Sequence, residues 1–221
     1  MLNKRLVTCM AYFNNARVLF DVGTDHAYLP IAAFTNNAIE YAYAIDNKKG
    51  PLLRALKNIT EHGLEDVIET MLSDGLTDLT PDVDLVVIAG MGGKTIQTIV
   101  DGHVKAHVKR WIFQPNNAFE RVRMLTHNNH LQIVAETVVE EDGYYYPIIV
   151  MAPGKQTLSE REIQFGPKLL KTKETSFKNM LKAELDYLQT LVTKIPDAAA
   201  KIKPLSRIQQ IEEVLYERDE D

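Results

Sequence analysis

The chain has 221 residues, of which 45% are hydrophobic and 25% charged, with a formal net charge of −5 at pH 7. That balance predicts a soluble globular protein with one substantial domain plus an appendage, and it excludes disorder as the default. No apolar run approaches the roughly 20 residues of a membrane span and no secretion signal opens the chain, so no membrane association and a cytoplasmic location are expected. The one cysteine, Cys9, can close no internal disulfide and build no thiolate metal cluster, and no metal is expected.

Residues 2–14 space Leu2, Leu6, Cys9, Met10 and Phe13 by threes and fours, which predicts a leading amphipathic helix with Cys9 as a small buried hydrophobe. Short apolar runs follow at 16–23, 41–46, 68–72, 84–90 and 110–114, separated by helix-like stretches at 29–34, 51–62, 93–100 and 119–128. This alternation predicts β/α units around a parallel sheet buried on both faces. Pro51 suits a first helical turn, where no backbone donor is needed, with Asn47 nearby as a cap. Residues 131–154 read as two strands joined through Glu141-Asp142-Gly143, a β-hairpin at the end of the sheet. From Ser159 the strand signal stops. Phe177, Leu181, Leu185, Leu188, Val192 and Ile195 form a helical seam, and Leu205, Ile208, Ile211 and Leu215 a second stripe. With a turn at 195–204 and Pro204 starting or kinking the last helix, they predict an antiparallel helical hairpin.

Charge is unevenly distributed. Residues 1–150 hold 13 Lys and Arg against 18 Asp and Glu, whereas residues 151–221 hold 12 of each. Within the latter, Lys168, Lys171, Lys173, Lys178 and Lys182 cluster, and acid gathers at the chain end. Such a lysine cluster is either a solvated helix face or a phosphate-binding surface.

Open parallel sheets bind ligands beyond the C-terminal ends of their strands, and the acids and glycines of this chain fall there. Asp21-Val22-Gly23 ends the first strand, Asp46 the second, Ser73-Asp74-Gly75 the third, Gly90-Met91-Gly92-Gly93 the fourth and Gln114-Pro115-Asn116 the fifth. The dinucleotide fingerprint G-x-G-x-x-G is absent after the first strand, and Asp25 would repel a pyrophosphate. A cationic methyl donor tolerates such an acid. Asp46 suits a pair of ribose hydroxyls and Asp74 an adenine edge, so S-adenosylmethionine fits this order better than NAD.

The segments "DVGTDHAYLP", "SDG", "IAGMGG" and "QPN", followed by "EEDGYYYPIIV", closely resemble the bacterial tRNA (adenine(22)-N(1))-methyltransferase family. The resemblance spans about residues 2–152, more loosely the helical tail. It implies an α/β, Rossmann-like class I methyltransferase domain at 1–153, with a mostly parallel seven-stranded sheet and a terminal β-hairpin. An α-helical, coiled-coil-like domain would follow at 154–221. It further implies S-adenosylmethionine as donor and tRNA as acceptor. Carried across by position, Asp21, Gly23 and His26 would line the methionine end of the cofactor, Asp46 the ribose, and Asp74 with Gly75 the adenine, with Asn47 also among the cofactor-binding residues. Gly90, Met91, Gly92 and Gly93 replace the Asn/Asp-Pro-Pro-aromatic motif of amino-group methyltransferases. A ring nitrogen already presents its lone pair, and glycines let backbone approach a base closely.

On this reading catalysis is mainly positioning and exclusion of water. Asp25, and after it His26, are the candidates to stabilise the cationic product or take a proton, unless Asp25 only caps the helix beginning near Tyr28. Tyr28, Gly93 and the Gln114-Pro115-Asn116 turn are expected on the acceptor side. Arg121, Arg123, Lys168, Lys171 and Lys178 are expected to bind tRNA phosphates, by a monomer or weak dimer. Two alternatives stay open: a methyltransferase acting on another RNA base or a small molecule, and a noncatalytic RNA-binding module of the same fold.

Overall fold

The computed structural model describes residues 2–105 and 107–217, and the chain divides into two compact units, Met1–Lys168 and Leu169–Asp221. The first unit is built on β1 (Val18–Val22), β2 (Tyr41–Asp46), β3 (Ile68–Leu72), β4 (Leu85–Met91), β5 (Arg110–Pro115), β6 (Leu131–Glu141) and β7 (Tyr144–Pro153). Their spatial order is β3-β2-β1-β4-β5-β7-β6. The sheet is mixed: every pair from β3 to β5 runs parallel, while β7 is antiparallel to both β5 and β6. The β6–β7 turn has Asp142 at φ 52° and Gly143 at φ 79°, the pair of left-handed residues a two-residue hairpin requires.

Because the central strands are covered on both faces, successive residues of one strand feed two different cores. Leu19, Ala42, Leu85 and Ile112 pack with α1 (Lys4–Met10), α2 (Tyr28–Thr35) and α3 (Lys49–Glu61) through Cys9, Leu29 and Ile59. Phe20, Ile45, Val86, Trp111 and Phe113 pack with α4 (Gly93–Val100), α5 (Phe119–Arg123) and α6 (Leu125–Asn128) through Ile96, Val122 and Leu125. Each fully buried Leu, Ile or Phe contributes about 1.5–3 kcal/mol. Burial, before the nearby Asp21 charge, pushes the Cys9 thiol up to about 12, so it remains a protonated hydrophobe. At the edge where the parallel strands begin, Asp84 Oδ1 accepts from the backbone N–H of Arg17 (3.0 Å) and Val18 (3.1 Å). Its carbonyl accepts from Lys109 (3.0 Å) and Arg110 (3.2 Å), so one residue ties together the starts of β1, β4 and β5.

Three helical expectations change. α1 stops at Met10, short of residue 14, and Asn14 and Asn15 turn the chain at φ 52° and 60°. The helix predicted at 119–128 breaks at Met124 into α5 and α6, where Thr126 Oγ1 takes the Arg123 carbonyl (3.0 Å) in place of an intrahelical donor. An additional α7 (Glu160–Phe165), closed by a Ser159/Glu162 capping box, lies beyond the predicted boundary at 153/154 yet belongs to the first unit.

The second unit pairs α9 (Thr175–Lys194) with α10 (Ala198–Tyr216), preceded by α8 (Pro167–Thr172), which straddles the division. Phe177, Leu181 and Leu185 are buried on α9, and Ile211 and Val214 on α10. Arg207 meets Glu184 with two bonds of 2.7 and 3.0 Å, and Lys173 Nζ reaches the Glu217 carbonyl at 3.4 Å, pairs that make the two helices antiparallel. α10 starts at Ala198, capped by both Asp197 carboxylate oxygens, and runs through Pro204, so the turn is shorter than 195–204. Leu205 is exposed, and Val214 replaces it in the buried stripe. Residues 218–221 of the acidic end lie outside the described residues. Among the described residues no helix is long and apolar enough to cross a membrane.

Candidate active site

β1 and β4 are neighbours, and the chain leaves them in opposite directions across the sheet, which makes their C-terminal ends the switch point of the fold. A cavity of about 180 Å³ opens there, lined by Asp21, Gly23, Thr24, Asp25, His26 and Tyr28 from the β1 side, Gly90 and Gln114 from the β4 and β5 side, and Arg5 from α1. The turn after β1 is held from β2: Gly23 and Thr24 both donate to the Ile45 carbonyl, at 2.8 and 2.9 Å. Gly23 has φ 77°, a left-handed conformation that favours glycine, while a Cβ there would meet only the mobile tip of the Met91 side chain. Asp21 is 5% exposed. Burial pushes its carboxyl up to about 7, against the opposing effect of the Thr24 hydroxyl, which donates to Oδ2 at 2.7 Å.

Asp25 is no helix cap. The residue before α2 is Ala27 at φ 55°, and no side chain caps that helix. Asp25 Oδ1 instead receives Arg54 Nη2, its Oδ2 lies 3.6 Å from His26 Nε2, and the His26 ring stacks on Tyr28.

The ends of β2 and β3 follow that of β1 along the same side of the sheet. Asp46 Oδ1 accepts from Lys48 N (2.9 Å), and Ser73 N donates to the Asp46 carbonyl (3.1 Å). Asn47 does not cap α3, whose first residue follows Lys48; its amide lies 3.5 Å from Asp74 Oδ1, bridging the two strand ends. Gly75 backs onto Ile99. The buried Ser73 Oγ has no hydrogen-bond partner among the described residues.

At the β4 end the Gly90 peptide is gripped on both sides: its N–H donates to Gln114 Oε1 (3.2 Å) and its carbonyl accepts from Asn116 Nδ2 (2.7 Å). The Gln114 amide also donates to the Pro115 carbonyl (3.1 Å) and Asn116 Oδ1 (3.2 Å). Gly92 faces Asn117, and Gly93 lies so close to the Asn117 and Ala118 carbonyls that a Cβ would not fit. Of the predicted acceptor-side residues, Gly93, Gln114 and Pro115 are buried, and Tyr28 and Asn116 are exposed.

Arg123 is not a surface cation. It is 1% exposed, its Nε meets Glu136 Oε1 at 2.8 Å, and its Nη1 donates to the Ile163 and Gln164 carbonyls at 3.1 Å. Arg121, Lys171 and Lys178 are exposed, while Lys168 is half-buried with its backbone N–H on Glu136.

Arg5, Thr24 and Arg54 were not legible as site residues. Arg5 pairs with Glu141 (2.6 Å), lies 4.4 Å over the Tyr146 ring, and places Nη1 3.5 Å from both Gln114 Oε1 and Asn116 Oδ1. All these partners are more than 100 residues away in sequence, and only the α1 cap at Asn3, which accepts from Leu6 N, gave a local signal. Among the described residues no group of three or more His, Cys, Asp and Glu side chains is arranged to hold a metal ion.

The profile of a protein family described as tRNA (adenine(22)-N(1))-methyltransferase, TrmK, matches residues 19–218. The tRNA (adenine(22)-N(1))-methyltransferase of Bacillus subtilis is 33% identical over 97% of each chain. Among solved structures, Streptococcus pneumoniae Sp1610 in complex with S-adenosyl-L-methionine superposes with a TM-score of 0.89 at 35% identity, covering 97% of this chain and 100% of that one. Mycoplasma capricolum TrmK bound to S-adenosyl-homocysteine gives 0.87 at 31% identity, with 98% of each chain covered.

Proposed function

The chain belongs to the family of tRNA (adenine(22)-N(1))-methyltransferases, and on that footing we propose how its own residues move a methyl group from S-adenosylmethionine to N1 of adenine 22 in tRNA. The observation that carries the reading is the cavity at the β1–β4 switch point, walled by the buried Asp21 and by Asp25. A pyrophosphate would meet two carboxylates there, whereas a ligand bearing a sulfonium and an ammonium is drawn to them. The residues therefore fit S-adenosylmethionine, which when bound supplies the electrophilic methyl group.

Asp21, Gly23 and His26 are assigned to the methionine end, Asp46 with Asn47 to the ribose hydroxyls, and Asp74 with Gly75 to the adenine edge. Gly90, Met91 and Gly92 are assigned to the wall facing the transferred methyl, with Gly90 kept in place by Gln114 and Asn116. Tyr28 offers an exposed ring to the acceptor base, which must leave its stack in the tRNA to reach the cavity. Asp25 contributes negative charge to a reaction whose product is cationic, and its ion pair with Arg54 favours that role over proton abstraction. Arg121, Lys168, Lys171 and Lys178 are assigned to tRNA phosphates, and the seam through Phe177, Leu181 and Leu185 to a coiled-coil-like pairing within the second unit. We take the protein to work in the cytoplasm as a monomer or weak dimer.

Incubation with labelled S-adenosylmethionine and unmodified tRNA should transfer label to that tRNA and not to one with adenine 22 replaced. Equal labelling of both would remove the site assignment. Asp46→Ala should weaken cofactor binding by about tenfold or more, about 1.4 kcal/mol, in a calorimetric titration; unchanged affinity would move the ribose site elsewhere.

A further inference from the structure

We propose that Arg54, on α3, is a positioning residue of the acceptor site: through the Asp25 carboxylate and the His26 ring it fixes the Tyr28 ring on which the extruded adenine stacks. The inference rests on the reading of Tyr28 as the acceptor platform.

The array is continuous. Arg54 Nη2 donates to Asp25 Oδ1, the other oxygen of Asp25 lies 3.6 Å from His26 Nε2, and the His26 and Tyr28 rings stack at 5.0 Å with an interplanar angle of 7°. One helical turn beyond Arg54, Asn58 Nδ2 donates to the His26 carbonyl at 2.9 Å, so a single face of α3 grips the loop twice. The grip holds a backbone that costs energy: Asp25 and Ala27 sit in the left-handed region at φ 47° and 55°, unusual for residues with a Cβ.

Folding stability does not account for this arrangement. The Arg54 and Asp25 side chains are 50% and 52% exposed, and exposed ion pairs contribute little to folding. What the array does produce is orientation. Asp25, His26 and Tyr28 all line the cavity, and Tyr28 is 55% exposed with a neighbouring ring parallel to its own. A purine laid on Tyr28 would extend the stack at the mouth of the cavity, and the direction of its N1 would follow the plane of the Tyr28 ring. Without Arg54 the carboxylate can rotate away, His26 loses its neighbour, and the platform is free to reorient.

The test uses the full chain with unmodified tRNA and three variants, Arg54→Ala, Arg54→Lys and Tyr28→Ala. Arg54→Ala should lower kcat/KM for tRNA by about tenfold or more, as expected for lost orientation, with melting temperature close to the parent's and a loss of S-adenosylmethionine affinity, transmitted through Asp25 and His26, much smaller than the loss in kcat/KM. Arg54→Lys, which keeps the cation and loses the planar fork, should recover part of that loss. Parent-like kcat/KM in Arg54→Ala beside an impaired Tyr28→Ala would overturn the role of Arg54 and leave the platform standing. Parent-like activity in Tyr28→Ala would overturn the platform reading and this inference with it. A loss in Arg54→Ala that tracks melting temperature or cofactor affinity alone would make Arg54 structural or cofactor-binding, and would likewise overturn the proposal.

Discussion

Arg123→Ala is expected to destabilise the first unit by about 3–5 kcal/mol, the usual cost of stripping one partner from a buried ion pair. Arg123 and Glu136 are 1% and 0% exposed at their side chains, so alanine leaves a carboxylate with neither water nor a cation. It also withdraws the donor to the Ile163 and Gln164 carbonyls. Urea denaturation should show the midpoint falling at nearly constant slope, with the melting temperature lower by roughly 10 °C. A loss under 1 kcal/mol would mean that the pair is hydrated in solution. Arg123→Met combined with Glu136→Leu should recover part of the loss, since an apolar pair carries no desolvation cost. The same geometry distinguishes two truncations. Ending the chain after residue 153 removes the carbonyls that Arg123 serves and Gly166, which covers the ion pair, and should be nearly as damaging as Arg123→Ala. Ending it after residue 168 keeps all of them.

Asp21→Asn should make the unliganded protein more stable and the enzyme worse. The Asp21 carboxyl titrates at about 7 in the fold against an ordinary 3.8, because of burial first, with the Thr24 hydroxyl opposing. The folded state therefore holds this proton more tightly than the unfolded chain does. Its contribution is fully present below about pH 4 and is lost as pH rises towards 7, at up to about 1.4 kcal/mol per pH unit. Asparagine has no charge to bury, so the variant should exceed the parent in stability by a few kcal/mol at pH 8 and lose that advantage near pH 4. Cofactor affinity should move the other way. A cationic ligand stabilises the ionised carboxylate, so the parent should bind S-adenosylmethionine more tightly at pH 8 than at pH 6, and Asp21→Asn should bind at least about tenfold more weakly at pH 8. Denaturation at both extremes and titration calorimetry check the two halves separately. A stability difference independent of pH would show that Asp21 is ionised in the unliganded fold.

Local chemistry was legible wherever neighbours in sequence decide the structure. The run ending in Gly90-Met91-Gly92-Gly93 gives β4 and α4 almost to the residue, because an apolar strand must stop at those glycines and the next helix can start only where Gly93 fits against Ala118. The Asp142-Gly143 turn fixes the hairpin in the same way. Asp197 is also a local signal, a carboxylate before three alanines, and the helix it starts carries Pro204 in its interior. Long-range pairing was hidden. Arg123 looks like any basic residue on a short helix until Glu136, on a strand at the far edge of the sheet, turns out to be its partner. Asp25 reads as a plausible cap until Arg54, 29 residues on, claims its carboxylate.

Asp84 also bears on how far-separated segments of the chain meet. The strands that frame the cavity join segments 66 residues apart, a loop whose closure is entropically costly and slow compared with forming the β6–β7 hairpin. Asp84 offers the two backbone donors at the start of β1 an acceptor as soon as the strands meet, in the register that also aligns their far ends. Its carboxylate holds the start of β1 against β4 in that register. The cavity lies at the far ends of β1 and β4 and exists only where these two strands are paired, so a chain in which they have not met has no such cavity.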